Sequence, residues 1–415
     1  MSRLLPAKSS LSSGSDGPDR SGKGPAVNRC HICGSSNVEE LPQDGTPFRL
    51  VSSDAQPVAG TAEYLLCGTC STVQKAVTPA WQAMADGIYA NYEINHQSLG
   101  AEPTIFDTAK GSGPRSLILL RNFLDKVDLP ETGRLLDIGC SNGNLLKSFH
   151  ALRPAWKLSG DELGDTWRDT VMALPGVEAF YSSGPQPSYV GVFDVITLSH
   201  VLEHVRDPVA FLKEKAGHLS EGGRILIASP DVRQNPIDLV IADHCTHFDE
   251  QSLRYVIEKA ELAVELLSSR LLPKELIAVL APRQGREQVA MRRIPSDEGG
   301  MDAQTRCLFY FGLLEEVRKA GRAAAAEKRP FGIMGSSIAA CWMNLELAGS
   351  VEFFVDEDEN RVGHQLMGLP ILAPADVPAN AVVFIPMSAS VAERIIQRWR
   401  HRSIAFRFVA MNRAL

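Results

Sequence analysis

The segment 134–146 carries an aspartate and two glycines at a spacing that suits an adenosyl ligand. Asp137 lies near the end of a hydrophobic run, and Gly139 and Gly143 follow it before an apolar stretch resumes. Glycine tolerates positive φ and lets the backbone approach a ligand closely, and the helix that follows offers unpaired N–H groups at its start. We therefore predict a cofactor site formed by Asp137, Gly139, Cys140, Gly143 and Asn144.

The spacing of these glycines distinguishes two kinds of cofactor. A dinucleotide fingerprint, G-x-G-x-x-G, needs a second glycine two residues after the first, and here the glycines are four apart. The pattern resembles motif I of class I S-adenosylmethionine-dependent methyltransferases, whose ligand carries a cationic sulfonium that an acidic strand end favours. An acid at the end of the next strand can accept the ribose hydroxyls. Glu162 is the first candidate and Asp161 the second, and the alternative is an ordinary exposed carboxylate.

Four of the eight cysteines form two C-x-x-C pairs, Cys30 with Cys33 and Cys67 with Cys70. Two such pairs can complete a tetrahedral zinc site made only of thiolates. Because this site has no open position for a substrate, we expect its role to be structural. A β-ribbon formed by residues 48–51 and 62–66 is predicted to fill the spacer. The alternative is a chance pairing of buried cysteines.

Histidines follow two of the predicted strands. His244 and His247 lie in a loop after the fifth strand, and histidine is the natural general base near neutral pH. A metal site at these two residues is the alternative. His200, at the end of the fourth strand, could face the methyl donor or the acceptor. Glu203 and His204 either brace that loop or take part in the chemistry.

The elements that position these residues are strands alternating with helices, which predict a parallel, doubly wound α/β sheet. The segment 116–124 has helical spacing and would cover the sheet, and strands are predicted at 156–162, 193–198 and 223–229. In such sheets, ligands lie beyond the carboxyl ends of the strands. The candidate residues should therefore meet at one edge.

The α/β pattern restarts near Lys274. A long helix is predicted at 303–328, followed by a strand, a Gly-Ser-Ser turn and a small-residue helix within 331–341. The helix N-terminus after this turn is a possible phosphate or nucleotide cradle. Further parallel strands are predicted at 351–356, 368–372 and 381–386.

The paired C-x-x-C motifs, motif I, the His-Phe loop and the second α/β unit together resemble the three-part sugar C-methyltransferases. Members of that family methylate a carbon beside a ketone on nucleotide-linked deoxysugars, and the resemblance covers the chain from about Cys30. It implies His247 as the general base. Residues 244–246 depart from the family pattern. O- or N-methylation of another small metabolite, and a non-catalytic zinc-containing scaffold, are the alternatives.

The same family uses tyrosines from the segment just after its zinc module. Residues 88–96 correspond to that segment and contain Tyr89, Tyr92 and His96. The resemblance therefore implies these residues as lid groups over the acceptor. The alternative is that the aromatic rings pack a linker onto the core.

Length and composition set the remaining limits. A chain of 415 residues exceeds a single typical core, and we expect a disordered tail (1–27), a zinc module (28–80), a Rossmann-like methyltransferase domain (81–270) and a C-terminal Rossmann-like substrate-binding domain (271–415). The net charge of -7 argues against a nucleic-acid groove, and no apolar run of about 18 residues supports a membrane span. Clustered cysteines suit a reducing cytoplasm, with a small-molecule acceptor and a monomeric or homodimeric chain.

Overall fold

The structure is a computed structural model that describes residues 29–43, 45–108, 110–182, 189, 191–283 and 302–409. The predicted tail, residues 1–27, lies outside the described residues. In the described part of the chain, no helix is both long enough and apolar enough to cross a membrane.

The N-terminal unit is a small antiparallel sheet with a separate two-stranded ribbon. Its strands are β1 (Val38–Leu41), β2 (Leu50–Val51), β3 (Pro57–Val58), β4 (Tyr64–Cys67) and β5 (Val73–Lys75). The sheet places β4 between β1 and β5, whereas β2 pairs with β3. The ribbon predicted from residues 48–51 and 62–66 is therefore wrong in its pairing, because each segment has a different partner.

A connector leads from this unit to the central one. Helix α1 (Pro79–Ala90) begins after Thr78, whose side chain accepts a hydrogen bond from Trp81 N, and proline occupies its first position. A 3₁₀ turn (His96–Ser98) follows. The connector then continues through β6 (Thr104–Thr108), β7 (Gly111–Pro114) and α2 (Arg115–Leu124). Helix α2 confirms the helix predicted at 116–124.

The central unit is a seven-stranded sheet covered by helices. Its strands, with one short strand from a loop, are β8 (Arg134–Ile138), β9 (Lys157–Glu162), β10 (Val177–Ser182), β11 (Phe193–Ser199), β12 (Leu219–Pro230), β13 (Thr246–His247), β14 (Leu262–Ser268) and β15 (Glu275–Pro282). Its helices are α3 (Asn144–Leu152), α4 (Arg168–Met172), α5 (Pro208–Ala216) and α6 (Glu250–Lys259), with 3₁₀ turns at Leu202–His204 and Pro236–Val240. Strand β13 lies outside this sheet.

The strand order of the central sheet is β10-β9-β8-β11-β12-β15-β14. The first five strands are parallel, and β15 is antiparallel to both of its neighbours. Leu135, Leu136 and Ile138 of β8 are fully buried, as expected for a strand covered on both faces. Since β15 completes this sheet, the predicted domain boundary at residue 270 falls too early. The sheet extends to Pro282.

The C-terminal unit is a second α/β sheet. Its elements are α7 (Ala303–Ala325), β16 (Phe331–Met334), α8 (Ile338–Glu346), β17 (Phe353–Val355), β18 (Gln365–Leu366), β19 (Leu369–Leu372), β20 (Val382–Ile385), α9 (Ala389–Trp399) and β21 (Ala405–Phe408), with a 3₁₀ turn at Pro374–Asp376. The order is β18-β19-β17-β16-β20-β21, and only β18 runs antiparallel. The strands predicted near 331, 351, 368 and 381 are all present.

One hydrophobic core joins the first and last units. The ring of Phe48 lies 6.2 Å from that of Phe311 and 6.1 Å from that of Trp342, centroid to centroid. Tyr64 meets Phe311 edge-on at 5.0 Å. These contacts belong to a continuous buried cluster. The N-terminal and C-terminal units therefore pack against each other and against the segment 232–240 of the central unit.

Candidate active site

A cavity of about 310 Å³ lies at the carboxyl ends of the central parallel strands. All three units and the connector contribute to its wall. The central unit supplies Asp137, Gly139, Cys140, Asn144, His200 and His244. The connector supplies Tyr92, Glu102 and Arg115, the N-terminal unit supplies Asp54, and the C-terminal unit supplies Ser337 and Arg361.

The loop after β8 takes its shape from its glycines. Gly139 (φ +73°) and Gly143 (φ +81°) adopt left-handed conformations, and a Cβ on Gly143 would lie 2.5 Å from Leu174 Cδ1. The Gly139 and Cys140 N–H groups both donate to the Asp161 carbonyl, at 2.8 and 3.0 Å. The loop is thus fixed to β9, and it leads directly into α3, whose first residue, Asn144, lines the cavity.

Asp137 supplies a buried carboxyl group beneath this loop. Only 2% of the residue is exposed, and its Oδ1 accepts a hydrogen bond from Thr197 Oγ1 at 2.6 Å. Burial, assisted by the charges of Glu162 and Glu102, raises the pKa of Asp137 to about 7 despite the Thr197 bond. A cationic ligand in the cavity would favour the ionised form of this group.

The two acids at the end of β9 face opposite sides of the sheet, as successive side chains of a strand do. Glu162 turns toward the loop and accepts hydrogen bonds from Ser141 N and Leu163 N at 2.8 and 2.7 Å. Burial raises its pKa. Asp161 is fully buried and accepts a hydrogen bond from Tyr189 Oη at 2.5 Å. Glu162 thus lies beside the motif I loop and Asp161 in the interior, and ribose binding by either residue remains a prediction.

The two loop histidines share one carboxylate. His244 Nδ1 lies 2.6 Å from Asp238 Oδ1, and His247 Nδ1 lies 2.5 Å from Asp238 Oδ2. The charges of both imidazoles hold the pKa of Asp238 low against the effect of burial. Of the two histidines, only His244 lines the cavity.

His247 occupies an interior position behind His244. Only 1% of it is exposed, and its Nε2 lies 3.3 Å from Lys75 Nζ. Burial and the charge of Lys75 lower its pKa to about 4. Both ring nitrogens therefore have protein partners, and the role of His247 as the base that contacts the acceptor remains a prediction.

His200 lines the cavity but has the wrong charge for a base. Its Nδ1 lies 3.0 Å from Glu203 Oε1 and its Nε2 lies 3.6 Å from Glu275 Oε1. Burial and the charge of Arg115 lower its pKa, but Glu275 and Glu203 outweigh them and raise it to about 9. His200 is consequently an imidazolium at neutral pH. This pKa favours a positively charged side chain over a neutral base at this position.

The connector residues differ in their access to the cavity. Tyr92 lines it, whereas Tyr89 Oη lies 2.7 Å from His204 Nδ1 and does not. His96 contacts Gln56, with 3.3 Å between their Nε2 atoms. The structure thus brings Tyr92 to the site. Tyr89 instead contacts His204, which is the kind of packing of the connector onto the core that we gave as the alternative.

Metal ligation in the histidine loop was the alternative to base catalysis. Glu203, His204 and His244 bring one possible ligand atom each within 4.8 Å of one another. Both Glu203 oxygens already have partners, His200 Nδ1 at 3.0 Å and Ser229 Oγ at 3.1 Å. We interpret this cluster as a hydrogen-bond network that fixes the loop.

The four predicted zinc ligands come together in the N-terminal unit. Their sulfurs lie within 4.8 Å of one another, with Cys30 Sγ 3.6 Å from Cys70 Sγ and Cys33 Sγ 3.5 Å from Cys67 Sγ. Tetrahedral zinc with Zn–S bonds of about 2.3 Å would place its sulfurs about 3.8 Å apart. The donor set and its geometry therefore fit a zinc ion.

The cysteine cluster is coupled to the histidine loop through a shared sheet. Strand β13 adds to β5 as the fourth strand of the N-terminal sheet, and Thr246 pairs with Gln74. Lys75 Nζ donates to the His244 carbonyl at 3.0 Å. His31, inside the first C-x-x-C motif, lies 2.7 Å from Thr246 Oγ1 through its Nε2. The N-terminal unit thus holds the loop that carries His244.

Several residues in or behind the cavity wall were not predicted from the sequence. Asp238 lies in a 3₁₀ turn with no motif around it, and Arg115 and Glu275 form an ion pair across 160 positions, with Nε to Oε1 at 2.6 Å. Arg361 comes from the C-terminal unit. The one available signal was the Gly-Ser-Ser turn before α8, which is part of the same wall.

Comparisons with known proteins agree with this fold. Residues 114–267 match the family model described as a methyltransferase domain. Ubiquinone biosynthesis O-methyltransferase of Marinobacter nauticus is 29% identical over 131 residues, which cover 29% of this chain and 53% of that protein. The protein of the same name from Parvibaculum lavamentivorans is 34% identical over 100 residues, covering 23% of this chain and 40% of that protein. The matched parts span about half or less of the length of these curated relatives.

A solved structure of an S-adenosylmethionine-dependent methyltransferase from Clostridium acetobutylicum also matches. It is 12% identical, with a TM-score of 0.34, and the match covers 41% of this chain and 91% of that one. The family match and the curated relatives show that the central unit is a class I S-adenosylmethionine-dependent methyltransferase domain.

Proposed function

We propose that this chain transfers a methyl group from S-adenosylmethionine to a small molecule in the cavity, with His244 as the general base. The observation that carries this proposal is the His244–Asp238 pair on the wall of the cavity that also contains the motif I loop. Asp137, Gly139, Gly143 and Glu162 would hold the methyl donor. The donor supplies an activated methyl group, and the chain aligns it with the acceptor.

Asp238 determines how His244 can act. Because the Asp238 carboxylate accepts a hydrogen bond from the Nδ1–H group, the tautomer with a free Nε2 lone pair is favoured, which is the form that removes a proton. His200, held as a cation by Glu203 and Glu275, would stabilise through its positive charge an acceptor oxygen that becomes negative. Base and cation together suit the removal of a proton from a carbon beside a carbonyl.

The acceptor that we place first is a ketone on a nucleotide-linked deoxysugar or a related small molecule. The resemblance of the chain from Cys30 onward to three-part sugar C-methyltransferases supports this choice. His244 would take the proton from the carbon, and that carbon would form the bond to the methyl group as the sulfur–methyl bond breaks. The protein is then left with S-adenosylhomocysteine and a C-methylated product.

O-methylation is the second candidate, because both curated relatives are named as O-methyltransferases. Incubation with ¹³C-methyl-labelled donor and a panel of nucleotide-linked keto sugars, simpler ketones and phenols separates the candidates. A labelled methyl carbon bonded to carbon supports the first candidate, and one bonded to oxygen supports the second. The absence of both donor binding and transfer would favour a non-catalytic scaffold.

Proton exchange gives an independent test of C-methylation. In deuterated water with S-adenosylhomocysteine bound, the wild-type protein should exchange the proton beside the acceptor carbonyl, and His244→Ala should not. An O-methyltransferase has no reason to catalyse this exchange. Methyl transfer without any exchange in the wild type would therefore count against a carbon acceptor.

For the N-terminal unit, the proposal is a structural zinc ion held by Cys30, Cys33, Cys67 and Cys70. The close approach of the four sulfurs supports it. Four thiolates leave no open coordination position, so the ion would stabilise the sheet that holds the histidine loop. Metal analysis of the purified full-length chain should give one zinc per chain.

A further inference from the structure

The wall of the cavity formed by the C-terminal unit contains the start of a helix. Strand β16 ends at Met334, and the chain turns through Gly335, whose φ is +89°, into α8. Ser337 is the N-cap of α8, yet its side chain makes no capping hydrogen bond. Ser337 and Ile338 both line the cavity. The first N–H groups of α8 therefore lie at the cavity wall without a side-chain cap.

A buried guanidinium lies beside this helix start. Arg361 lines the cavity but is only 6% exposed, and its Nε has no hydrogen-bond partner among the described residues. Nη1 lies 3.4 Å from Ser336 Oγ and 3.5 Å from Asp356 Oδ2. Burying a cation is costly unless its donors are satisfied. Arg361 thus retains donor capacity in the cavity that the protein itself does not use.

The carboxylates near Arg361 already have other partners. Asp356 Oδ2 accepts a hydrogen bond from Ser336 Oγ at 2.5 Å, and Asp356 Oδ1 accepts one from Asp358 N at 3.0 Å. Asp358 Oδ2 accepts a hydrogen bond from Thr104 N of the connector at 2.9 Å. This network holds Asp356 beside Arg361 Nη1, whereas Arg361 Nε remains without a partner among the described residues. The wall near the motif I loop, by contrast, carries the carboxyl groups of Asp137 and Glu102.

We propose that Arg361 and the N-terminus of α8 bind an oxyanion carried by the acceptor. Guanidinium binds phosphate and carboxylate through two parallel hydrogen bonds, and a helix N-terminus favours negative charge through its free N–H groups. The cavity would then hold the cationic donor near its acidic wall and the anionic end of the acceptor near Arg361. This inference rests on the proposed function and specifies the class of acceptor.

The test uses the full-length protein saturated with S-adenosylhomocysteine. Inorganic pyrophosphate, inorganic phosphate and acetate are titrated separately by calorimetry. Wild type should bind at least one probe saturably, and Arg361→Gln should weaken that binding at least tenfold. Arg407→Gln is the matched control, because Arg407 pairs with Glu327 on the surface. It should bind as wild type does.

A second variant separates binding from folding. Ser337→Asp introduces a good N-cap residue, so α8 should remain as stable as in wild type, while the added carboxylate repels the probe. We expect an unchanged thermal midpoint and at least tenfold weaker binding. Tighter binding of phosphate or pyrophosphate than of acetate indicates a phosphorylated acceptor, and the reverse indicates a carboxylate.

Two results would overturn the oxyanion site. One is a wild-type protein that binds none of the three probes saturably, and the other is normal probe binding by both Arg361→Gln and Ser337→Asp. Failure of the proposed function would look different. A protein that binds pyrophosphate normally but neither binds S-adenosylhomocysteine nor transfers a methyl group would contradict the methyl-transfer proposal and leave the oxyanion site standing.

Discussion

The Nδ1 atom of His244 lies 2.6 Å from Oδ1 of Asp238, on the wall of a cavity that also contains the motif I loop. This contact orients the ring and defines which nitrogen is available to an acceptor. His247 uses the second oxygen of the same carboxylate. The two histidines are therefore distinguished by their access to the cavity.

Replacement of His244 by alanine should lower kcat by about 10²–10⁴-fold, because a positioned base contributes an effect of that size. The affinity for S-adenosylhomocysteine should stay within about twofold of wild type. Steady-state kinetics and calorimetry measure the two quantities. His401→Ala is the control, since His401 is exposed and remote from the cavity. Normal turnover by His244→Ala would exclude this residue as the base.

Replacement of His247 by alanine should chiefly affect stability. The change removes a hydrogen bond from one oxygen of the buried Asp238 carboxylate, and leaving a buried charged group without its partner costs about 3 kcal/mol. Urea unfolding should show a corresponding loss in the free energy of unfolding. If the variant is as stable as wild type and yet inactive, His247 would return as the candidate base.

The pH dependence of donor binding should follow Asp137. Because the pKa of this group is raised to about 7 in the cofactor-free chain, the fraction ionised increases about tenfold between pH 6 and pH 8. The affinity for the cationic donor should increase by a similar factor. Asp137→Asn should bind weakly and without this dependence. A pH-independent affinity in wild type would contradict the assignment.

The raised pKa of Asp137 also makes the free energy of unfolding depend on pH. An unfolded aspartate has a pKa near 3.9, so between about pH 4 and pH 7 the folded cofactor-free chain binds more protons than the unfolded one. Its free energy of unfolding should therefore decrease as pH rises through this window. Asp137→Asn should remove that part of the slope in urea unfolding measured at pH 5 and pH 8.

Gly143 and Gly87 offer a matched pair of substitutions. Alanine at Gly143 would combine a positive φ with a Cβ 2.5 Å from Leu174 Cδ1, whereas alanine at Gly87, inside α1, meets nothing within 4 Å. Gly143→Ala should disrupt the loop and abolish detectable binding of S-adenosylhomocysteine. Gly87→Ala should keep that binding and add about 0.5–1 kcal/mol of stability. Normal binding by Gly143→Ala would show that the loop tolerates a different shape.

Metal removal should be detectable far from the cysteines. Because β13 pairs with β5, chelation or Cys67→Ser should accelerate hydrogen exchange at Thr246 and His247. Exchange in α3 should not change, because its buried side chains belong to a hydrophobic cluster separate from the one that contains the cysteines. Re-addition of zinc to chelated wild type should restore protection. Unchanged protection in zinc-free protein would mean that the sheet holds the loop without the ion.

What the sequence predicted well lies in short continuous segments. The loop after β8 takes its shape from Gly139 and Gly143, and both glycines are visible in the motif. The spacing of the two C-x-x-C motifs likewise identifies the four cysteines that come together. The choice between His244 and His247 was not accessible in this way. They are three residues apart in a loop, and Asp238 and Lys75, which position them, lie elsewhere in the chain.

The domain boundary failed for a related physical reason. Strand β15 is antiparallel to its neighbours and follows β14 closely, so it lacks the preceding helix that marked the other strands. Arg361 was missed because no motif surrounds it. Arg361 comes to the cavity only because the C-terminal unit forms part of the cavity wall.

Lys75 and His247 are 172 positions apart, yet they belong to adjacent strands of one small sheet. Contacts between such distant segments form late, because the entropy of closing the intervening loop must be overcome first. During synthesis from the N-terminus, β5 emerges long before its partner β13. The edge of β5 that pairs with β13 therefore stays unpaired until β13 has been made. We expect the central sheet to fold first and to deliver β13 to that edge. Competence for acceptor chemistry would then be among the last properties that the growing chain acquires.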